Sequence, residues 1–369
     1  MKVSFPFMGT SHIGFKHLIQ NLGHEVLMPP NPTKRTLTYG ARYSPEFACI
    51  PFKMLLGTYI EVLEMGADLL ISSGGIGPCR AGLYGLLHEK ILQDLRYDFT
   101  LIILDPPLAD VKVFLNNIKT IKPRKMRWTE FGVHVKTAWK KLRILDKLEM
   151  LASEIRPYEI TRGDTSNAFR KAIHVVDSAE TGEEVVRSEG EGEEILRSVP
   201  TDAERIPLKV GIVGEIYVVI EPFMNMDIER RLGEMGVAVH RSTYITTYTQ
   251  YTIWDRKGED HIKKAAEPYL RQLVGGHGIH SVGETVLYAQ QGFDGVIQIA
   301  PFTCIPEIVA RSIIPKITED WEIPVLTINI DEQTGESGIQ TRLEAFIDLL
   351  KEKRKLMGEE KTNALLSGC

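Results

Sequence analysis

The stretch Leu69-Leu70-Ile71-Ser72-Ser73-Gly74-Gly75-Ile76-Gly77-Pro78-Cys79-Arg80-Ala81-Gly82 passes from apolar to small residues, turns through glycines and ends near a single cysteine. An apolar run bounded by Gly and Pro is the pattern of a buried strand, so this stretch predicts a strand that delivers the Cys79 thiol to its carboxyl end. Two more cysteines stand in matching settings far away, Cys49-Ile50-Pro51 and Cys304-Ile305-Pro306.

Working outward, short apolar runs at 2–5, 25–28, 68–72 and 100–104 alternate with helical patterns at 11–22, 51–66 and 81–95. Such alternation predicts parallel strands with crossover helices, a doubly wound α/β layer. A second alternation begins at 206–214, with strands expected near 237–239, 295–300 and 325–330 and helices near 225–235, 281–291, 306–313 and 339–353. The expected organisation is an N-terminal α/β domain (1–110), a helical connector (111–205), a C-terminal α/β domain (206–357) and a flexible tail (358–369). Within the connector, helical patterns at 138–156 and 167–176 precede a glutamate- and glycine-rich segment, 180–197, expected to be solvated and flexible. Residues 29–45, opening on Pro29-Pro30-Asn31-Pro32, are expected to form a long loop. Cys369, in the tail, is expected to be a bystander.

At 369 residues the chain exceeds one ordinary core. An apolar fraction of 43% and a charged fraction of 25% are those of a globular protein. The net charge of −5 argues against a nucleic-acid binder, whose footprint is a basic face. The N-terminus shows no apolar signal core, and no run of about 18 apolar residues predicts a membrane span. A cytoplasmic protein is expected. In a reducing compartment a few scattered cysteines point to metal binding, catalysis or burial rather than disulfides.

Each of the three thiols precedes a helical pattern, and proline two residues after Cys49 and Cys304 favours a first helical turn. Helix N-termini carry free N–H groups and a positive dipole end, so lowered thiol pKa values are expected. Ligands of open α/β sheets collect at strand carboxyl ends, which predicts a composite site in the cleft between the two layers. Iron–sulfur clusters and structural zinc normally take four ligands, so three cysteines leave one position open. Zinc with a histidine of Gly275-Gly276-His277-Gly278-Ile279-His280 stays open, as does simple burial of the thiols. The glycine loops match neither Walker A nor GxGxxG. Gly75, Gly77 and Pro78 are the candidate residues for close backbone approach to a cofactor. His277, His280 and Glu284 are candidate proton donors, although Ser281 with Glu284 also fits a capping box. The acids of Asp331-Glu332-Gln333-Thr334-Gly335-Glu336 follow the last expected strand and suit a cap, a cation or solvent.

The segments around Cys49 (43–53), Gly74-Gly75-Ile76-Gly77-Pro78-Cys79-Arg80, Pro301-Phe302-Thr303-Cys304-Ile305-Pro306-Glu307 and Asp331-Glu332-Gln333-Thr334-Gly335 resemble the acyl-CoA dehydratase activase-related proteins. That group is similar to 2-hydroxyacyl-CoA dehydratase and benzoyl-CoA reductase subunits and to double-cubane cluster proteins. The resemblance implies two flavodoxin-like domains with one 4Fe-4S cluster held by Cys49, Cys79 and Cys304, one iron being left without a cysteine. It also implies a separate ATP-dependent activase, with its own cluster, as electron donor, an acyl-CoA or other small-molecule substrate reduced through a ketyl radical anion, and a homodimer. A non-catalytic electron carrier, an activation or assembly partner, and a zinc-binding α/β module are the alternatives.

Overall fold

The computed structural model describes residues 1–74, 79–104, 111–253 and 258–367. Its first part runs β1 (Lys2–Ser4), α1 (His12–Asn21), β2 (Glu25–Val26), α2 (Lys34–Tyr43), α3 (Ile50–Glu64), β3 (Leu69–Ser73), α4 (Tyr84–Asp94) and β4 (Thr100–Leu104). Four helices follow: α5 (Val111–Ile121), α6 (Trp128–Ile155), α7 (Asp164–Ser178) and α8 (Gly182–Arg197). The last part comprises β5 (Leu208–Gly214), α9 (Ile216–Ile220), α10 (Ile228–Glu234), β6 (Val237–Arg241), α11 (Ile245–Ile253), α12 (Asp260–Ala266), α13 (Gly278–Gln290), β7 (Gly295–Pro301), α14 (Ile305–Trp321), β8 (Val325–Ile330) and α15 (Glu336–Ser367).

Two four-stranded, all-parallel sheets result, ordered β2-β1-β3-β4 and β6-β5-β7-β8. The second order repeats the first, so β7 holds in its sheet the place of β3. In each sheet the order reverses beside the first strand, where doubly wound folds bind ligands. All of β7 is buried, as expected of a strand covered on both faces. Its one polar side chain, Gln298, is satisfied by donating to Glu307 Oε2 at 2.9 Å and accepting from Thr327 Oγ1 at 3.0 Å.

Every residue of α3 from Ile50 to Leu63 is buried. A helix enclosed all round needs apolar partners on every side. One buried cluster accordingly joins Met54, Leu56, Tyr59 and Val62 of α3 to Val210, Ile212 and Val218 of the second part, so both sheets share a core. A separate core forms where α6 packs on α7 and α8 through Leu145, Leu148, Ala172, Val176, Val185 and Leu196.

Two expectations are corrected. Segment 180–197 is largely ordered as α8, opened by a Thr181/Glu184 capping box and packed through Val185, Ser188, Gly192 and Leu196. Those four residues form a stripe at helical spacing that the glutamate-rich composition concealed. The expected loop at 29–45 contains α2, started by a Thr33/Thr36 capping box. Helix α15 continues to Ser367, into the expected tail; Cys369 lies outside the described residues. No helix among the described residues is long and apolar enough to cross a membrane.

α2 and α3 approach so closely that a Cβ on Gly40 would lie 1.7 Å from the Lys53 carbonyl oxygen. Gly40→Ala is therefore expected to destabilise the protein by about 1–3 kcal/mol or more in urea unfolding. Gly132→Ala, at a helical position with open space around it, is expected to stabilise by about 0.5–1 kcal/mol. Equal effects of the two substitutions would contradict the packing account.

Candidate functional site

All three thiols belong to N-cap residues. Cys49 caps α3 and Cys304 caps α14, each with proline in the first turn, and Cys79 caps the 3-10 turn Arg80–Leu83 that leads into α4. Their backbones are extended, as N-caps require. Cys79 and Cys304 follow equivalent strands, β3 and β7. The helix before β3 is capped by Cys49 and the helix before β7, α13, by His277, so His277 holds in the second part the place of Cys49 in the first. No disulfide joins Cys49, Cys79 and Cys304.

One side chain gathers the cysteine segments. The Arg80 guanidinium, next to Cys79, donates to the Phe47 carbonyl at 2.7 Å and to the Thr303 carbonyl, while Thr303 Oγ1 donates to the same Phe47 carbonyl at 3.2 Å. Phe47 lies two residues before Cys49, and Thr303 immediately precedes Cys304. Thr303 has φ of 68°, a left-handed conformation that costs a β-branched residue free energy and is held here by these bonds. Gly276 completes the enclosure: a Cβ there would lie 3.1 Å from Pro306 and 3.6 Å from Cys79 Sγ. From the last-strand motif, Glu332 pairs with Lys53 of α3, and Asp331 closes its own turn by accepting from Gln333 N and Thr334 Oγ1, both at 2.9 Å.

The thiols are raised, contrary to the expectation from helix N-termini. Burial pushes Cys49 and Cys79 up, and Cys304 further; the charge of Glu215 adds to all three, and that of Glu307 to Cys304. Desolvation thus outweighs the helix dipoles. Hydrogen bonding with Tyr84 OH opposes the shift at Cys49. Glu215, the N-cap of α9, is itself pushed up to about 7 by desolvation, against hydrogen bonds from Val218 and Tyr217 N–H. Among the described residues, no three His, Cys, Asp or Glu side chains converge to hold a single metal ion. Gly75, Gly77 and Pro78, the candidate cofactor loop, lie outside the described residues.

His277, His280 and Glu284 do come together. With His240, Tyr248 and Glu259 they line a cavity of about 190 Å³. The His277 and His280 rings lie 5.1 Å apart, and His280 Nε2 sits 3.0 Å from Glu259. His280 Nδ1 is buried without a hydrogen-bond partner among the described residues. The capping-box reading fails: Ser281 lies inside α13 and donates to both Glu307 oxygens, at 3.0 and 2.9 Å, while Glu284 accepts from Ser242. Burial lowers His277 to about 3, leaving it neutral. Burial also opposes charge on His280, but the Glu259 hydrogen bond prevails and raises it. Burial raises Glu284 toward its neutral acid form. The cavity therefore sets a histidine and a carboxyl, both with raised pKa and so both shifted toward their protonated forms, beside a neutral imidazole.

Sequence reasoning overlooked Arg80, Glu215, Glu259 and Glu307. Position could have flagged Arg80 and Glu307, which neighbour cysteine segments, and Glu215, which follows a strand; Glu259 carries no local signal. No family model matches the chain, and comparison with curated proteins finds no match.

The ordinary values of Glu259 and His280 are 4.5 and 6.5, and the folded protein moves Glu259 down to about 2 and His280 up. Their pairing stabilises the fold fully between the ordinary values, and fades as pH falls through about 2 or rises through the raised His280 pKa. Glu259→Gln is expected to lower the His280 pKa, because burial is then opposed only by the charge of Glu284. Histidine NMR titration checks this, and an unchanged pKa would contradict the assignment.

Proposed function

We propose that this chain is an iron–sulfur protein of the 2-hydroxyacyl-CoA dehydratase-like kind. Cys49, Cys79 and Cys304 hold one 4Fe-4S cluster between the two α/β parts, and an ATP-dependent activase supplies electrons for reduction of an acyl-CoA or another small molecule. The observation that carries the reading is Arg80, whose guanidinium binds the backbone beside both of the other cysteine segments. Three soft thiols suit iron. A single zinc would need its ligands to converge on one point, which the described side chains do not do. A cluster places its cysteines on separate irons and does not need that convergence.

When bound, such a cluster supplies one-electron reduction and, at the iron without a cysteine, a Lewis-acidic position. The chain's own residues do the rest. Arg80 and Thr303 fix the loops, and burial excludes water from Cys49 and Cys304. His280, whose pKa the Glu259 hydrogen bond raises, and Glu284, whose pKa burial raises, are the groups that would protonate a departing hydroxyl. Gly276, packed near Cys79 Sγ, is the chain neighbour of His277 in the cavity wall, and this acid pair favours a catalytic role over simple electron carriage.

Anaerobic reconstitution tests the ligand set. Cys79→Ala is expected to cut iron retention at least several-fold with the fold kept, and Cys369→Ala to leave it unchanged. Equal iron in Cys79→Ala and the parent would overturn the assignment. The raised thiols must lose protons to bind metal. Iron uptake is therefore expected to rise as pH increases from about 7 to about 9, with proton release on loading; a flat profile would contradict protonated ligands.

A further inference from the structure

A second cavity, of about 610 Å³, lies where α6 and α7 meet α9, α10 and the chain after β1. Its volume is that of a small-molecule site, and its walls include Phe7, Phe169, Val219 and Phe223. Most charges around it are already answered. Arg241 is held by Glu149 and by Glu229 at 2.7 Å, and Arg230 by Asp227 and by Glu234 at 2.9 Å. Glu221 accepts from Gly9 N at 2.8 Å and Phe223 N at 3.1 Å.

Arg156 is the exception. It is only 6% exposed, yet its Nε has no hydrogen-bond partner among the described residues. Its stem is pressed against α10, since a Cβ on Gly233 would lie 2.7 Å from Arg156 Cδ. Glu229 feels the charge, but its hydrogen bonds are to Ser153 and Arg241, and among the described residues it makes no ion pair with Arg156. The other free cation at the wall, Arg170, bonds only the neutral Asn167, at 2.5 Å. A buried guanidinium needs an anion, and its planar fork matches a carboxylate.

We propose that this cavity binds a small organic carboxylate, with Arg156 taking the carboxylate and the aromatic walls its apolar body. The site is separate from the thiols: Glu215, felt by the thiols, caps the N-terminal end of α9, whereas Val219, Ile220 and Glu221 at the other end line the cavity.

Phenylacetate serves as probe, with acetate, inorganic phosphate and benzylamine as controls, in calorimetric and thermal titrations of the metal-free full chain at constant ionic strength. Saturable binding of phenylacetate at least tenfold tighter than acetate or phosphate is expected, with none of benzylamine. Arg156→Met keeps the packed stem and is expected to weaken phenylacetate at least tenfold. Asn31→Trp, which adds bulk at the exposed rim and leaves Arg156 untouched, is expected to weaken it as well should the first variant not fold. No saturable binding, equal binding of phosphate or benzylamine, or affinity unchanged in these variants would overturn the site. Metal content does not enter the measurement, so its outcome is independent of the cluster assignment.

Discussion

Every strand pairing described in this protein is parallel. A parallel pair cannot be closed by a tight turn, so the chain must leave each strand, cross over a face and return. That constraint sends the carboxyl ends of a sheet's strands to one edge and starts the next helices there. Because the second sheet repeats the order of the first, equivalent edges carry equivalent elements. Cys79 after β3 and Cys304 after β7 are such equivalents, and so are Cys49 and His277 at the caps of the preceding helices. The four cap residues thus come from one plan used twice.

Parallel topology brings the caps to an edge, but it does not bind one part to the other. The buried length of α3 does that in the core, and Arg80 does it at the edge by donating to carbonyls on both sides. A guanidinium is suited to this task because its fork satisfies two carbonyls at once. The same enclosure sets the electrostatics. Burial with Glu215 nearby keeps the thiols protonated, while Glu259 raises the pKa of one buried histidine beside another that burial keeps neutral.

The strands were legible as short, largely apolar runs between helical patterns: the runs at 100–104 and 325–330 coincide with β4 and β8. The caps at Cys49 and Cys304 were legible from proline, whose missing N–H suits only a first turn. Helix α8 was not, because its buried stripe is four residues among many glutamates, and neither was α2, whose start depends on a threonine pair after a proline-rich run. Thiol acidity was misread for a physical reason. The dipole of a helix N-terminus can be inferred from local sequence, whereas desolvation depends on what the rest of the chain packs over it. Glu259 reaches His280 across segments with no shared periodicity, so only the folded chain pairs them.

The central claim is that the three gathered thiols hold one iron–sulfur cluster. Its most direct test is iron and acid-labile sulfide analysis of the anaerobically isolated, reconstituted wild-type chain, together with its visible spectrum before and after reduction. The account predicts iron and sulfide in equal amounts, with a broad brown absorption that bleaches on reduction. A colourless chain that takes up no iron, or one that binds a single zinc in its place, would contradict it.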